Sequence, residues 1–244
     1  MPQVGTSADR SAGSGGAWTP LKYAASSYVR HLDSPDSAER ARRVLGRHVP
    51  LLGGASGAAT SARAGATGIQ NLGALLSGIG SGGLAEALTS IGLANLVGRD
   101  RFTVLDELIG FIAGDGDDLD AQAARDAACD VLDEVFGDAD QWEELADVRV
   151  DETDLLALLQ SFLALYIYNR VPVVAERLSR LSDPVAMRRA DREMRQIIAD
   201  LVAIHLPEDP FAVDWRGERG RGIADDAINS AYQAISALDD GDES

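Results

Sequence analysis

The 244-residue chain carries 22 Lys and Arg against 39 Asp and Glu, a formal charge of −17, and one cysteine, Cys129. The charge works against general nucleic-acid binding, because phosphate neutralisation needs clustered basic side chains. One thiol excludes an internal disulfide or a multi-thiolate zinc site, and with 45% apolar residues but only five Phe, five Tyr and three Trp the core is expected to be aliphatic.

The charge is unevenly spread. Residues 1–99 hold nine basic and five acidic side chains, a balance of +4, whereas residues 100–244 carry −21. Glycine follows the same division, with 17 of 25 before residue 100. Asp (27) exceeds Glu (12), and Lys22 is the one lysine, a composition that resembles salt-adapted proteins whose acidic surfaces keep them soluble. The start, Met1 to Ser7, has neither a basic region nor an apolar stretch, so no secretory signal is expected. The longest nearly apolar run, Leu155 to Tyr168, is 14 residues and contains Gln160 and Ser161. A membrane span needs about 20. A soluble, cytoplasmic protein without a membrane segment is the expectation.

Taken in chain order, residues 1–34 read as a flexible Gly/Ser-rich arm, disordered over 1–20. Ser34-Pro35 is expected to open a short basic helix with Arg40, Arg42, Arg43 and Arg47, stopped by Pro50. The rest of segment 35–99 is rich in Gly and Ala with partial leucine periodicity, which predicts short helices that need a partner surface. Regular helical stripes begin near residue 100: Phe102, Leu105, Leu108, Ile109 and Ile112, ended by Gly114; then Leu119, Ala123, Ala127, Val131, Leu132 and Val135, capped by Asp118 and stopped by Gly137. Asp151 or Thr153 caps a helix to Asn169 that is apolar nearly all round. Pro172 opens a shorter piece, Asp183-Pro184 starts another long helix, and Ile223 to Leu238 form the last. No run has a period of two. The prediction is an all-α protein: a helical domain over 100–238, an acidic tail at 239–244, and the arm and basic segment before them.

Few residues stand at spacings that support chemistry. Gly78 to Gly83 fits the pattern GxGxxG, but it sits in a helical reading without βαβ alternation, and is taken as a small-residue loop. Asp115 to Asp120 resembles the start of a calcium loop, yet Leu119 and Asp120 occupy positions that need a ligand and a glycine, so a helix-capping turn is expected. His31, His48 and His205 stand apart and read as surface or helix-end residues. Cys129 reads as packed, not nucleophilic. Neither a catalytic motif nor a metal or cofactor site is predicted. The basic cluster Arg40, Arg42, Arg43, Arg47 and Arg63 leaves two alternatives beside a protein-interaction role: a nucleic-acid-binding adaptor through these arginines, or a calcium-binding regulator through Asp115–Asp120.

Three features taken together carry a resemblance: Gly5-Thr6-Ser7 with Gly13-Ser14-Gly15-Gly16 and Trp18-Thr19-Pro20, an Arg/Gly/Ala-rich middle from Arg47 to Gly83, and an acidic helical half with Tyr166-Ile167-Tyr168-Asn169-Arg170. In these the chain resembles the QatB family, the small component of Qat anti-phage defence systems. The resemblance implies a non-catalytic component with three partners: a QatA-like ATPase, a QueC-like QatC and a TatD-like nuclease, QatD. Family members resemble Met-Gly-Thr-Ser at the start, whereas Met1-Pro2-Gln3-Val4 precede Gly5 here. Initiation at Val4 from a GTG codon would place Gly5 behind the initiating methionine. Because QueC-type enzymes use ATP to activate a deazaguanine carboxylate for ammonia, an exposed Gly5 α-amine is expected to be a candidate acceptor, with Gly5, Thr6 and Ser7 as its docking segment.

Overall fold

The computed structural model describes residues 15–239 other than Arg180, and twelve α-helices account for most of them, with no strand among these residues. The acidic half begins as the sequence predicts. Asp100 caps α6 (Arg101–Ala113) by accepting the Thr103 N–H, and Gly114, at φ 77°, ends it. Asp118 accepts the Ala121 N–H at the start of α7 (Leu119–Phe136), which stops at Gly137. The short α8 (Trp142–Ala146) follows. Asp151 and Asp154 close a reciprocal capping box on α9 (Glu152–Asn169). Pro172 opens α10 (Pro172–Leu178), Asp183 caps α11 (Pro184–Leu201), and α12 (Glu218–Ser236) is last. Caps and prolines are local signals, which is why these boundaries are readable from sequence.

The first hundred residues depart from expectation. Gly15–Arg30 forms helix α1, so the expected flexible arm does not extend over 15–34; residues 1–14 lie outside the described part. The cause is tertiary. Leu21, Ala24, Ala25 and Tyr28 recur on one face and are buried, and the Tyr28 hydroxyl bonds the Ala190 carbonyl and Glu193 of α11, both at 3.0 Å. Helix α2 runs Ser37–His48, starting after Asp36 and not at Pro35, because Ser34 accepts the Asp36 N–H within a turn. After a 3-10 turn come α3 (Gly54–Ser61), α4 (Arg63–Gly82) and the short α5 (Leu84–Ser90). The segment is helical as predicted, but α4 is 20 residues long and central.

What holds a glycine-rich helix at the centre is aromatic packing. Helix α4 packs against α6, α7, α9 and α12. A Cβ at Gly65 would overlap the Tyr166 ring, one at Gly68 the Phe162 ring, and one at Gly73 the indole of Trp215. The two α9 rings are parallel, with centroids 6.3 Å apart. The glycines therefore form sockets for aromatic side chains. Each such Gly costs about 1 kcal/mol of helix propensity, while burying an aromatic ring returns more than that. The core is correspondingly less aliphatic at its centre than composition suggests: Trp215, Tyr28, Tyr166, Tyr232 and Phe162 are its largest fully buried side chains.

The stripes hold with two exceptions. Phe102 and Leu119, predicted as buried, are 84% and 82% exposed. Both lie in the first turn of their helices; burial in α6 follows Val104, Leu108 and Ile112 instead. Among the described residues no single helix is long and apolar enough to cross a membrane.

Candidate functional site

The C-terminus of α9 turns Arg170 back into the protein. Its guanidinium pairs with Asp120 (Nε to Oδ1, 3.2 Å), donates to the Tyr232 hydroxyl at 2.6 Å and the Ala58 carbonyl at 3.2 Å, and reaches Ser61 Oγ at 2.8 Å. It also lies over the Tyr166 and Tyr232 rings, 5.5 and 5.6 Å from their centroids. Asp120 in turn accepts the Tyr166 hydroxyl and the Ala64 N–H. Only 9% of the Arg170 side chain is exposed. Such a pair is tolerable inside a protein because both ions are saturated with hydrogen bonds.

Arg170 thereby ties the end of α9 to α3, α7 and α12, and Asp120 extends the network to α4 through the Ala64 N–H. Burial, the largest influence on the guanidinium, favours losing its charge, but Tyr232, Tyr166 and Asp120 outweigh it and hold Arg170 above the usual arginine range. Burial pushes the Tyr166 and Tyr232 hydroxyls up, so both stay protonated as donors or acceptors. Asn169, beside it, donates to the Ala123 carbonyl at 3.3 Å.

The other predicted residues are placed less compactly. Gly5, Thr6 and Ser7 lie outside the described residues. Arg40, Arg43 and Arg47 share one face of α2 and line a small cavity of about 30 Å³ with Tyr23 and Ser27. Arg40 donates to Ser27 Oγ at 3.0 Å, Arg43 pairs with Glu39 at 3.1 Å, and Arg47 with Asp239 at 3.4 Å. Arg42 and Arg63 are exposed and do not line that cavity, so the five arginines are not one cluster.

Two readings of single residues change, that of His48 in part. His48 ends α2, as the helix-end reading has it, but is buried there, and neither ring nitrogen has a hydrogen-bond partner among the described residues; burial lowers its pKa to about 4. Cys129 is exposed, not packed; desolvation, with Asp133, Asp130 and Asp126 nearby, pushes its thiol up, away from nucleophilic character. Residues 115–120 form the helix-capping turn expected of them: Asp118 caps α7, Asp120 faces Arg170, and the aspartates do not converge. Among the described residues no group of three or more His, Cys, Asp and Glu side chains is arranged to hold a metal ion. The stretch Gly78 to Gly83, expected as a loop, is instead the end of α4 with Gly83 as its C-cap, and Gly80 packs against Phe211 and the Val150 carbonyl.

Sequence reading pointed to Asn169-Arg170 but missed the residues that complete the network. Ser61, Asp120 and Tyr232 lie 109, 50 and 62 positions from Arg170, and no local pattern joins them.

Residues 53–235 match the family described as Qat anti-phage system associated protein QatB. The chain belongs to the QatB family. The matched QatB region begins ahead of Ala58 and Ser61 and ends after Tyr232, and so contains every residue that Arg170 bonds. It leaves out α1 and α2, and with them Arg40 to Arg47. QatB proteins are components of the Qat anti-phage system, and that description carries no catalytic activity. No curated protein and no solved structure matches the chain.

Proposed function

We propose that this QatB protein is a non-catalytic partner in its defence system and that its N-terminal segment is the substrate of the QueC-like component, with Gly5 as the acceptor. The observation that carries this reading is the placement of α1. Its side chains Trp18 and Tyr23 are 41% and 69% exposed, with Lys22 over the Trp18 ring at 5.7 Å. Gly5 stands ten positions before the first described helical residue, Gly15, a length that spans at most about 35 Å of extended chain. Exposed aromatics at the root of such a segment suit a partner that grips α1 and draws the terminus into its own site.

The chemistry asks little of this chain. With initiation at Val4 and removal of methionine, the Gly5 α-amine is free, and an α-amine with a pKa near 7.7–8.0 is partly neutral at cellular pH. It attacks an ATP-activated deazaguanine carboxylate in place of ammonia. A C–N amide bond forms, the C–O bond to the activating group breaks, that group leaves, and the amine proton passes to solvent. The lack of a Cβ at Gly5 lets the segment enter a narrow site. QatA-like and QatD-like components are the further partners in this reading.

Gly5→Pro, which replaces the primary amine by a hindered secondary one, tests it in a plaque assay. Defence falls to the level of a strain lacking the QueC-like component; full protection with the variant contradicts the acceptor role. Phosphate contact through α2 is the weaker reading, because Arg40, Arg43 and Arg47 already have protein partners.

A further inference from the structure

A groove of about 660 Å³ runs between α9 and α11. Helix α9 gives it Ala157, Ala164 and Leu165; α11 gives it Arg188, Arg192 and Arg195. The three arginines differ in their surroundings. Arg195 is engaged by Asp130 at 3.1 Å and Asp191 at 3.2 Å, and stacks on the Tyr168 ring at 4.8 Å. Asp191, the one carboxylate among the described residues lining the groove, also accepts from the Tyr168 hydroxyl. Arg188 and Arg192 are exposed and have neither an ion-pair nor a hydrogen-bond partner among the described residues.

On the same helix Arg189 meets Asp33 at 2.6 Å and Arg195 meets Asp130 and Asp191, so two of its four arginines are neutralised and two are not. Arg188 and Arg192 instead stand one turn apart, where like charges on a helix repel. A ligand with carboxylates at helical spacing removes that repulsion and gains two charge-assisted bonds. The apolar surface beside them suits small aliphatic side chains.

We propose that the α9–α11 groove is a docking site for an acidic, amphipathic segment of a partner protein, its carboxylates on Arg188 and Arg192 and its apolar side chains on Ala157, Ala164 and Leu165. Charge complementarity selects this occupant. A nucleic acid fits less well, because among the described residues no aromatic side chain lines the groove for base stacking.

The test is fluorescence anisotropy of the full chain with a fluorescein-labelled peptide of repeated Glu-Leu-Ala-Glu units, its Glu→Gln counterpart, and a labelled oligothymidylate. The acidic peptide binds saturably, and more weakly as salt is raised. The Arg188→Glu/Arg192→Glu variant, whose folding is checked by circular dichroism, loses about tenfold or more in affinity, as does the Gln peptide. An Arg42→Glu/Arg63→Glu variant binds as the parent does. Absence of saturable binding, equal binding by the double variant, or preference for the oligonucleotide overturns the proposal. So does self-association that Arg188→Glu/Arg192→Glu abolishes, which would make a second copy the occupant. None of these outcomes depends on modification at Gly5.

Discussion

Gly68 of α4 faces Phe162 of α9 so closely that a Cβ at residue 68 would overlap the ring. The contact inverts the usual arithmetic of helix propensity, because the residue that weakens an isolated α4 is the one that lets α9 approach it. Gly68→Ala is therefore expected to destabilise the protein by about 1–3 kcal/mol through overpacking, although alanine is the better helix former by about 1 kcal/mol. A lower urea midpoint checks this. A companion substitution at Gly110, where nothing lies within 4 Å, is expected to be neutral or stabilising.

Breaking the Arg170–Asp120 pair leaves one buried charge without its partner. Asp120→Asn and Arg170→Ala are each expected to cost about 3–5 kcal/mol. Arg170→Lys is not conservative here, since one ammonium cannot reach Asp120, Tyr232, Ala58 and Ser61 together. Chemical denaturation of the three variants checks the order: the lysine variant is nearer to Ala than to the parent.

His48 makes stability depend on pH. Its imidazole titrates near 6.5 when unfolded and only near 4 when folded, so the unfolded chain takes up the proton first. Stability contributed by the neutral, buried ring is present above about pH 6.5, falls as pH drops through that value and levels off below about 4. The loss is about 3 kcal/mol at most. His48→Leu is expected to flatten this acid limb in melting curves recorded across the range, while an unchanged slope places the titration elsewhere.

Cys129 is exposed but ringed by aspartates, so its thiol stays protonated at neutral pH. Alkylation by iodoacetamide is expected to be slower than that of free cysteine and to gain rate only at alkaline pH. Fast labelling at neutral pH contradicts this.

Much of the architecture was legible because it is written locally. Asp118, Asp151 and Asp183 announce their helices within three residues, and Gly114 and Gly137 end two of them. What was hidden is what depends on contacts across the chain. The α1 helix takes its order from α2, α10 and the Tyr28 contact with α11, and α4 from rings supplied by α9 and Trp215. Reading the chain as a basic half and an acidic half located a real change in charge but no structural seam, since Arg170 bonds residues on both sides of it. The same residue was singled out by resemblance, without the geometry that explains what it does.

The central claim concerns Gly5, and intact-mass spectrometry of the chain purified from cells with and without the QueC-like component addresses it most directly. With the component present, the account predicts a mass increase that fragmentation assigns to the amine of Gly5, and its loss when the component is deleted. An N-terminal peptide of identical, unmodified mass in both samples contradicts it.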